Sequence, residues 1–153
     1  MDTLHTVQRY MTQNVVTVHK DLNIYKAIDK LLHNHISGTP VIDDLGNMVG
    51  ILTEKDCLRI MANESFHGMP SGPTSLYMSE DVKTVELGTD IFVVADLLLK
   101  NHFRRVPVLN GKKLVGQISR CDVLSAVKDI VNVKENTTPQ KEYLSEEMKS
   151  FLK

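Results

Sequence analysis

The sequence predicts an α+β fold built from two β-α-β-β-α units, and three observations lead to it. The chain repeats itself at a distance of 67 residues, which becomes 66 after a one-residue deletion in a turn. Each copy contains β-branched runs typical of strands and apolar residues at helical spacing. Glycine, proline and aspartate recur at matching turn positions, where backbone geometry is demanding. One structural unit has therefore been duplicated.

The first copy is interpreted element by element. Residues 15–18 are a β-branched run, which predicts a strand. An amphipathic helix is predicted by residues that recur at i, i+3, i+4, i+7, i+8 and i+11, namely Ile24, Ala27, Ile28, Leu31, Leu32 and His35. Gly38 and Pro40 end that helix. The remaining predicted elements are a strand at 40–42, a turn at 43–47, a strand at 48–52 and a helix from about Thr53.

The second copy repeats this order. Its predicted elements are a strand at 83–85, a helix at 91–102, a strand at 107–109, a turn at 110–111, a strand at 114–118 and a helix from Ser119. A unit of about 55 residues alone buries only about 60% of the surface that its unfolded chain exposes. We therefore expect the two units to pack against each other through faces related by a pseudo-twofold axis.

These elements predict the domain organisation. The first repeat is expected at 7–62 and the second at 76–131, joined by a glycine- and proline-rich linker at 63–75. Residues 132–153 form a C-terminal tail, in which Thr138-Pro139 is typical of a helix start. An apolar stripe follows at Leu144, Met148, Phe151 and Leu152. That stripe either packs on its own domain or binds a partner or a second copy.

A short motif opens the second helix of each copy. It is Gly50-Ile51-Leu52-Thr53-Glu54-Lys55-Asp56 in the first copy and Gly116-Gln117-Ile118-Ser119-Arg120-Cys121-Asp122 in the second. A hydroxyl followed three residues later by an acid is a capping box, which satisfies free N–H groups of the first helical turn. A helix N-terminus also attracts anions, and a carboxylate there can accept from a ribose diol. Capping and ligand binding are compatible at one site.

Composition excludes several classes of function. The net charge is −1 and aromatic residues are only 5%, which argues against nucleic-acid binding. Apolar runs are too short to span a bilayer, and the first residues do not resemble a secretory signal. Two cysteines are too few for a disulfide framework. We therefore expect a soluble cytoplasmic protein that contacts neither membrane nor nucleic acid.

The ordered set of motifs resembles a tandem pair of CBS domains, the regulatory module named after cystathionine beta-synthase. The resemblance covers about residues 7–131. It is carried by the two Gly-to-Asp motifs and by the segments 35–43 (HISGTPVID) and 103–110 (FRRVPVLN). It implies two clefts between the repeats that often bind AMP, ADP, ATP, S-adenosylmethionine or dinucleotides such as NAD. It also implies no catalysis and a homodimer.

The resemblance assigns residues to each cleft. In the first, Thr53 would hold a phosphate and Asp56 the ribose diol. The residues that would face them from the second repeat are Asp81, Phe103, Arg104, Arg105 and Pro107. In the second cleft, Ser119 and Asp122 take these roles. Their partners from the first repeat would be Asn14, Ile36, Ser37, Gly38 and Pro40.

The two clefts are expected to differ. Arg104-Arg105 suits a polyanionic ligand, so the first cleft ranks as the better nucleotide site. The alternative for these arginines is a solvated corner between a helix and a strand. In the second cleft Gln117 replaces the apolar residue that the pattern prefers.

Other reactive residues have simpler interpretations. His33 and His35 lie two apart on a helix and face different ways, so no metal site is predicted. Cys57 and Cys121 lie near helix N-termini, where a thiol pKa tends to fall, although small packing residues are the alternative. No acid–base or nucleophile constellation is recognisable, so no enzyme is predicted.

The predicted function is a regulatory module that senses energy or cofactor status by binding AMP, ADP or ATP between its repeats. It would signal to an unidentified protein partner in trans. The alternative is a structural or interaction dimer whose clefts bind no nucleotide.

Overall fold

The computed structural model of the chain describes residues 5–64, 68 and 71–137, which form two consecutive β-α-β-β-α units. This confirms the predicted α+β class. A 3₁₀ turn at Thr74–Leu76 precedes the second unit. The elements are α1 (Val7–Tyr10), β1 (Val18–His19), α2 (Ile24–His33), β2 (Gly38–Ile42), β3 (Met48–Thr53), α3 (Glu54–Glu64), β4 (Val85–Glu86), α4 (Ile91–Asn101), β5 (Arg105–Asn110), β6 (Lys113–Ser119) and α5 (Arg120–Thr137).

Each unit contains one three-stranded sheet with its middle strand paired on both sides. The sheet orders are β1-β2-β3 and β4-β5-β6. The first strand of each runs parallel to the middle strand, and the third runs antiparallel to it. The α2 and α4 helices, which connect the parallel strands, bury one apolar face each against their sheet. The result is two similar cores, one per repeat.

The first strand of each repeat is shorter than predicted and lies later in the chain. Residues 15–17 precede β1, which contains only Val18 and His19. The Val16 carbonyl accepts from the Thr39 hydroxyl at 2.6 Å, and the Thr17 carbonyl accepts from Lys30 Nζ at 2.7 Å. Because side chains bind these carbonyls, the β-branched run does not pair with a neighbouring strand over its whole length. The second copy repeats the shift, since β4 begins at Val85.

The repeats exchange the segments that precede their first strands, residues 7–12 and 77–79, which we call the exchanged segments. Val7 is fully buried in the core of the second repeat, and Met11 packs against the same core. Tyr77 and Met78 pack correspondingly against the core of the first repeat. Backbone bonds fix both exchanges, because Thr12 pairs with Gln117 in both directions at 2.8 and 2.9 Å. Ser79 pairs in the same way with Ile51 at 2.9 Å.

The motif glycines make these exchanges sterically possible. A Cβ on Gly50 would lie 2.7 Å from Met78 Sδ and 2.8 Å from the Ser79 carbonyl oxygen. A Cβ on Gly116 would lie 2.8 Å from both Met11 Sδ and the Thr12 carbonyl oxygen. Close approach does require glycine here, as the sequence suggests, but the approaching group is the exchanged segment of the other repeat.

The described end of the predicted linker packs on the first repeat. Thr74 is fully buried, and its N–H and hydroxyl both donate to the Leu22 carbonyl at 2.8 Å. The Gly72 carbonyl accepts from the N–H of Ile24, the first residue of α2. These bonds anchor residues 72–74 before the second exchanged segment begins.

Helix α5 extends beyond the predicted end of the second repeat. It continues without interruption to Thr137. The helix predicted in the C-terminal tail, with its stripe from Leu144 to Leu152, lies outside the described residues. Within residues 5–64 and 71–137, no helix is both long and apolar enough to cross a bilayer.

Replacing Gly116 by alanine tests the exchanged segment. The added Cβ would contact backbone at the Thr12 carbonyl, which cannot move without breaking its pairing with Gln117. We expect Gly116→Ala to lower the free energy of unfolding by about 1–3 kcal/mol, as overpacking of a core does. Gly88→Ala is the matched control, since its Cβ would meet nothing within 4 Å. Urea denaturation gives both values, and equal stabilities for the two variants would contradict the steric role.

Candidate functional site

The first motif forms a complete capping box at the start of α3. The Thr53 hydroxyl donates to Asp56 Oδ2 at 2.9 Å, and the Thr53 N–H donates to the same oxygen at 2.9 Å. The Asp56 N–H in turn donates to the Thr53 hydroxyl oxygen at 3.2 Å. The structural interpretation of this spacing is therefore confirmed. The one proton of the hydroxyl is already donated, so Thr53 must leave Asp56 before it can donate to a phosphate.

The Asp56 carboxylate is also occupied at its second oxygen. Ser79, from the exchanged segment, donates its hydroxyl to Asp56 Oδ1 at 2.9 Å. Arg59 Nη1 lies 3.6 Å from the same oxygen. The residue is only 5% exposed. A ribose diol at this carboxylate would therefore compete with Ser79 for Oδ1.

The second motif forms the same box but leaves one carboxylate oxygen available. Ser119 donates to Asp122 Oδ2 from its N–H at 2.7 Å and from its hydroxyl at 2.9 Å. Asp122 is half-buried, and within the described part of the chain no hydrogen bond reaches its Oδ1. Thr12, which corresponds to Ser79 in the duplication, makes no side-chain bond to it among these residues. Asp122 can therefore accept from a ligand without breaking its cap.

Arginines surround the start of α5. Arg105 lies directly opposite Ser119 in the pairing of β5 with β6. Arg120, the first residue of α5, donates its N–H to the Arg104 carbonyl at 2.9 Å and its Nε–H to the Phe103 carbonyl at 2.8 Å. All three arginines are exposed, and among the described residues none forms an ion pair. The start of α5 is therefore strongly cationic.

The three equivalent positions of the first repeat carry no cation. Gly38 lies opposite Thr53, and the Glu54 N–H donates to the Ser37 carbonyl at 2.9 Å. Glu54 thus occupies the position of Arg120, and Ser37 and Gly38 occupy those of the two other arginines. Coulomb attraction for a phosphate therefore favours the α5 start over the α3 start.

The remaining predicted site residues divide between surface and core. Pro40 and Pro107 are buried within their middle strands, and Ile36 is half-buried after α2. The exposed residues are Asn14, Ser37, Asp81 and Phe103. Register places Arg105 beside Ser119 and Gly38 beside Thr53, each within its own repeat. The predicted pairing of these residues across the repeats stays a prediction for both clefts.

Two hollows accompany these residues. A cavity of about 270 Å³ lies beside the first motif. It is lined by Asp56, Arg59, Ile60, Leu76, Tyr77, Met78 and Ser79. A cavity of about 140 Å³ lies between the repeats and contains neither motif carboxylate. Its lining residues are Gln13, Val15, Thr17, Ile42, Gly46, Leu114, Val115 and Gly116. The hollow at Asp56 thus includes the exchanged segment as one wall.

Sequence reasoning missed Ser79 and Arg59 as partners of Asp56. Arg59 is three residues further along the same helix, so i,i+3 spacing alone could have identified it. Ser79 is 23 residues away and reaches Asp56 only because the leading segments exchange. The alignment of the two repeats could have indicated this contact, because Thr12 and Ser79 are hydroxyl residues at equivalent positions.

The pKa of one cysteine at a helix N-terminus differs from the expectation drawn from the sequence. Burial, together with Asp56 and Glu54, raises the pKa of the Cys57 thiol, so the expected fall at a helix N-terminus is wrong for this residue. Both cysteines are free.

His35 and His102 adopt left-handed backbone conformations that end α2 and α4. In residues 5–64 and 71–137, no three metal-binding side chains form a group suited to a metal ion.

A model of the CBS domain matches the chain twice. The matches cover residues 7–63 and 75–129. An uncharacterised 17.7 kDa protein of Acidianus ambivalens is 30% identical over 125 residues, which is 81% of this chain and 74% of that protein. The chain spans 41% of the length of MJ1225, an uncharacterised protein of Methanocaldococcus jannaschii that is 28% identical over 118 residues, 77% of this chain.

Solved structures share the same arrangement. The crystal structure of CBSX2 in complex with AMP superposes with a TM-score of 0.70 at 30% identity, covering 83% of this chain and 98% of that one. An enzyme is also similar in part, since 79% of this chain matches 13% of the A-adding tRNA nucleotidyltransferase of Geobacter sulfurreducens at 30% identity. The matched region thus makes up nearly all of the CBSX2 chain and a small part of the larger enzyme.

The two thiols should react at different rates. Cys57 is half-buried with a raised pKa, so a smaller fraction of it is thiolate, whereas Cys121 is exposed. We expect iodoacetamide at pH 8 to modify Cys121 on the order of tenfold faster than Cys57. Peptide mass spectrometry over time measures both rates in one sample. Equal rates, or faster reaction of Cys57, would contradict this account of its surroundings.

Proposed function

We propose that this chain, which belongs to the CBS domain family, is a non-catalytic regulatory module that binds an adenine nucleotide between its repeats. The module would sense energy or cofactor status and act on a partner protein in trans. Family membership and the AMP bound to CBSX2 support the nucleotide class. AMP, ADP and ATP are the first candidate ligands, and S-adenosylmethionine and NAD are further ones.

The observation that carries the proposal is the available Oδ1 of Asp122 beside three arginines. A carboxylate can accept from the paired hydroxyls of a ribose, and each charged hydrogen bond contributes about 1.5–3 kcal/mol. Arg104, Arg105 and Arg120 supply charge for phosphate groups at the start of an 18-residue helix. The second motif therefore combines an acceptor for the sugar with cations for the phosphate.

The carboxylate of the first motif is less accessible to a nucleotide than that of the second. Asp56 is capped, bonded to Ser79 and nearly buried, so a nucleotide there must displace a hydroxyl of the exchanged segment. A ligand at Asp56 would therefore perturb the contact that joins the repeats. The sequence ranking, which prefers this cleft, stays a prediction, and the geometry favours filling the second motif first.

Regulation follows if the ligand binds one arrangement of the repeats better than another. A ligand shifts a conformational equilibrium only by its differential affinity for the two states. Each repeat holds the leading segment of the other, so a change at one motif bears directly on the other core. A nucleotide between the repeats is well placed to change the surface offered to a partner.

The hydrogen bonds already made by Asp56 favour a second candidate function, that of a structural or interaction module. Both carboxylate oxygens of Asp56 have protein partners, as expected of a residue whose purpose is to hold the repeats together. In this alternative the clefts bind no physiological nucleotide. Failure of a full nucleotide panel to bind would favour it.

We also propose that the module is a cytoplasmic homodimer. The two cysteines are free, as in proteins of reducing compartments. Leu58 and Met61, three residues apart on α3, are exposed large apolar side chains on one helical face. A second copy would remove that face from water.

Nucleotide binding is tested at Asp122. Asp122→Asn keeps one amide oxygen to accept from Ser119 but replaces the other oxygen by a donor, so the helix cap survives while the ribose acceptor is lost. We expect the affinity for AMP to fall about tenfold, the value of one charged hydrogen bond. Isothermal titration calorimetry of AMP, ADP and ATP measures the change.

Asp129→Asn is the matched control, since it removes an exposed carboxylate from the same helix away from the motif. It should bind as the natural protein does. Unchanged AMP affinity in Asp122→Asn, with binding by the natural protein, would refute the role of that carboxylate. No binding of any panel nucleotide by the natural protein would refute the proposed function.

Dimer formation is tested at Leu58. Leu58→Asp places a charge on the α3 face, and burying an unpaired charge in an interface is strongly unfavourable. We expect light scattering to give a dimer mass for the natural protein and a shift to monomer for Leu58→Asp. Leu45→Asp, at a similarly exposed leucine in the turn between β2 and β3, should remain a dimer. A monomer mass for the natural protein would contradict the dimer.

A further inference from the structure

Two groups of the protein lie at the Asp56 oxygen that a ribose would need. Ser79 donates its hydroxyl to Asp56 Oδ1 at 2.9 Å, and Arg59 Nη1 lies 3.6 Å from the same oxygen. The Asp56 side chain is only 4% exposed. In so enclosed a position, a ribose hydroxyl would have to take the place of the Ser79 hydroxyl.

The backbone holds Ser79 in this position. Its N–H and its carbonyl both bond to Ile51, each at 2.9 Å. The preceding residue, Met78, packs against the core of the first repeat. The Ser79 hydroxyl is therefore kept beside the carboxylate whether or not a ligand is near.

The carboxylate of the second motif has neither partner. Thr12 has the position of Ser79 in the duplication, and among the described residues its side chain makes no hydrogen bond to Asp122. Ser125 has the position of Arg59 and donates its hydroxyl to the Cys121 carbonyl at 3.1 Å. Two motifs with the same capping box thus differ in whether the protein occupies the second carboxylate oxygen.

Charge beside the exchanged segments adds to this difference. Glu80 and Asp81, which are both exposed, directly follow Ser79. The matching residues of the first repeat are the uncharged Gln13 and Asn14. Like charges repel, so two carboxylates here disfavour a phosphate near the first motif. The part of the chain that occupies the first carboxylate thus also repels an anionic ligand.

Space for a ligand nevertheless exists beside the first motif. The hollow of about 270 Å³ is lined by both Asp56 and Ser79. Arg59 lines it too, and its side chain is 62% exposed, so a cation is accessible there. What the hollow lacks for a sugar phosphate is an unoccupied carboxylate oxygen. Removal of one hydroxyl would supply it.

We propose that the Ser79 hydroxyl blocks the first motif, so that each chain binds one nucleotide, at the second motif. The inference rests on the proposed function, because it assigns the number of nucleotide sites and the residue that limits it. Ser79 acts as an internal competitor for the oxygen that the ribose would use. A hydrogen bond to a charged group is strong enough to lower the affinity of the first motif about tenfold or more.

Isothermal titration calorimetry of AMP tests this block by counting sites. The natural protein should bind one AMP per chain. Ser79→Ala removes the competing hydroxyl, so a second AMP should bind at the first motif, at least about tenfold more tightly than in the natural protein. Addition of Asp56→Asn to Ser79→Ala should return the count to one, because it replaces the freed acceptor oxygen.

Thr12→Ala is the matched control. It removes the hydroxyl at the equivalent position of the other exchanged segment, where no carboxylate depends on it. We expect this variant to bind one AMP per chain with unchanged affinity. Addition of Glu80→Gln to Ser79→Ala gives a further measurement, since loss of a negative charge should strengthen binding of the second AMP severalfold.

The outcomes separate this proposal from the proposed function. A second AMP site in Ser79→Ala that requires Asp56 supports the block. One site in both the natural protein and Ser79→Ala would overturn it and leave the proposed function standing. Two sites in the natural protein would overturn it as well. No binding by either protein would refute both claims, whereas binding by Ser79→Ala alone would support the block and refute the nucleotide site at Asp122.

Discussion

The exchange of leading segments is the contact on which the rest of the structure depends. Thr12 pairs with Gln117, and Ser79 pairs with Ile51, each through two backbone hydrogen bonds of 2.8–2.9 Å. The segments carry Val7 into the second core and Met78 into the first. A core that lacks its exchanged segment loses apolar burial that a unit of this size needs. The two repeats are therefore parts of one folding unit, although the sequence presents them as two.

The exchange also makes two similar motifs chemically unequal. Ser79 ends one exchanged segment and donates to Asp56, which is thereby enclosed and fully bonded. Thr12 occupies the matching position but leaves Asp122 with an available oxygen among the described residues. The aspartate of this motif thus holds the two repeats together in the first copy, whereas in the second copy it is suited to accept from a ligand. Local charge adds to this difference, since Arg120 stands where the first repeat has Glu54.

Helix α5 connects several of these features. Its first turn contains the second motif, its inner face completes the second core, and its outer face exposes Leu124, Val127 and Val131. The corresponding helix α3 is shorter and carries acids in its first turn.

Sequence alone determined the duplication, the β-α-β-β-α order and the two capping boxes, because each rests on local periodicity, turn chemistry or spacing within one helical turn. It also indicated that Gly50 and Gly116 permit a close approach. Tertiary structure decided which group approaches them, because the exchanged segments lie far away in sequence. For the same reason only the fold determined that Ser79 occupies Asp56, that Arg105 stands beside Ser119, and that β1 begins at Val18 after side chains bind the preceding carbonyls. Contacts between distant segments depend on how the two repeats pack, which no local pattern specifies.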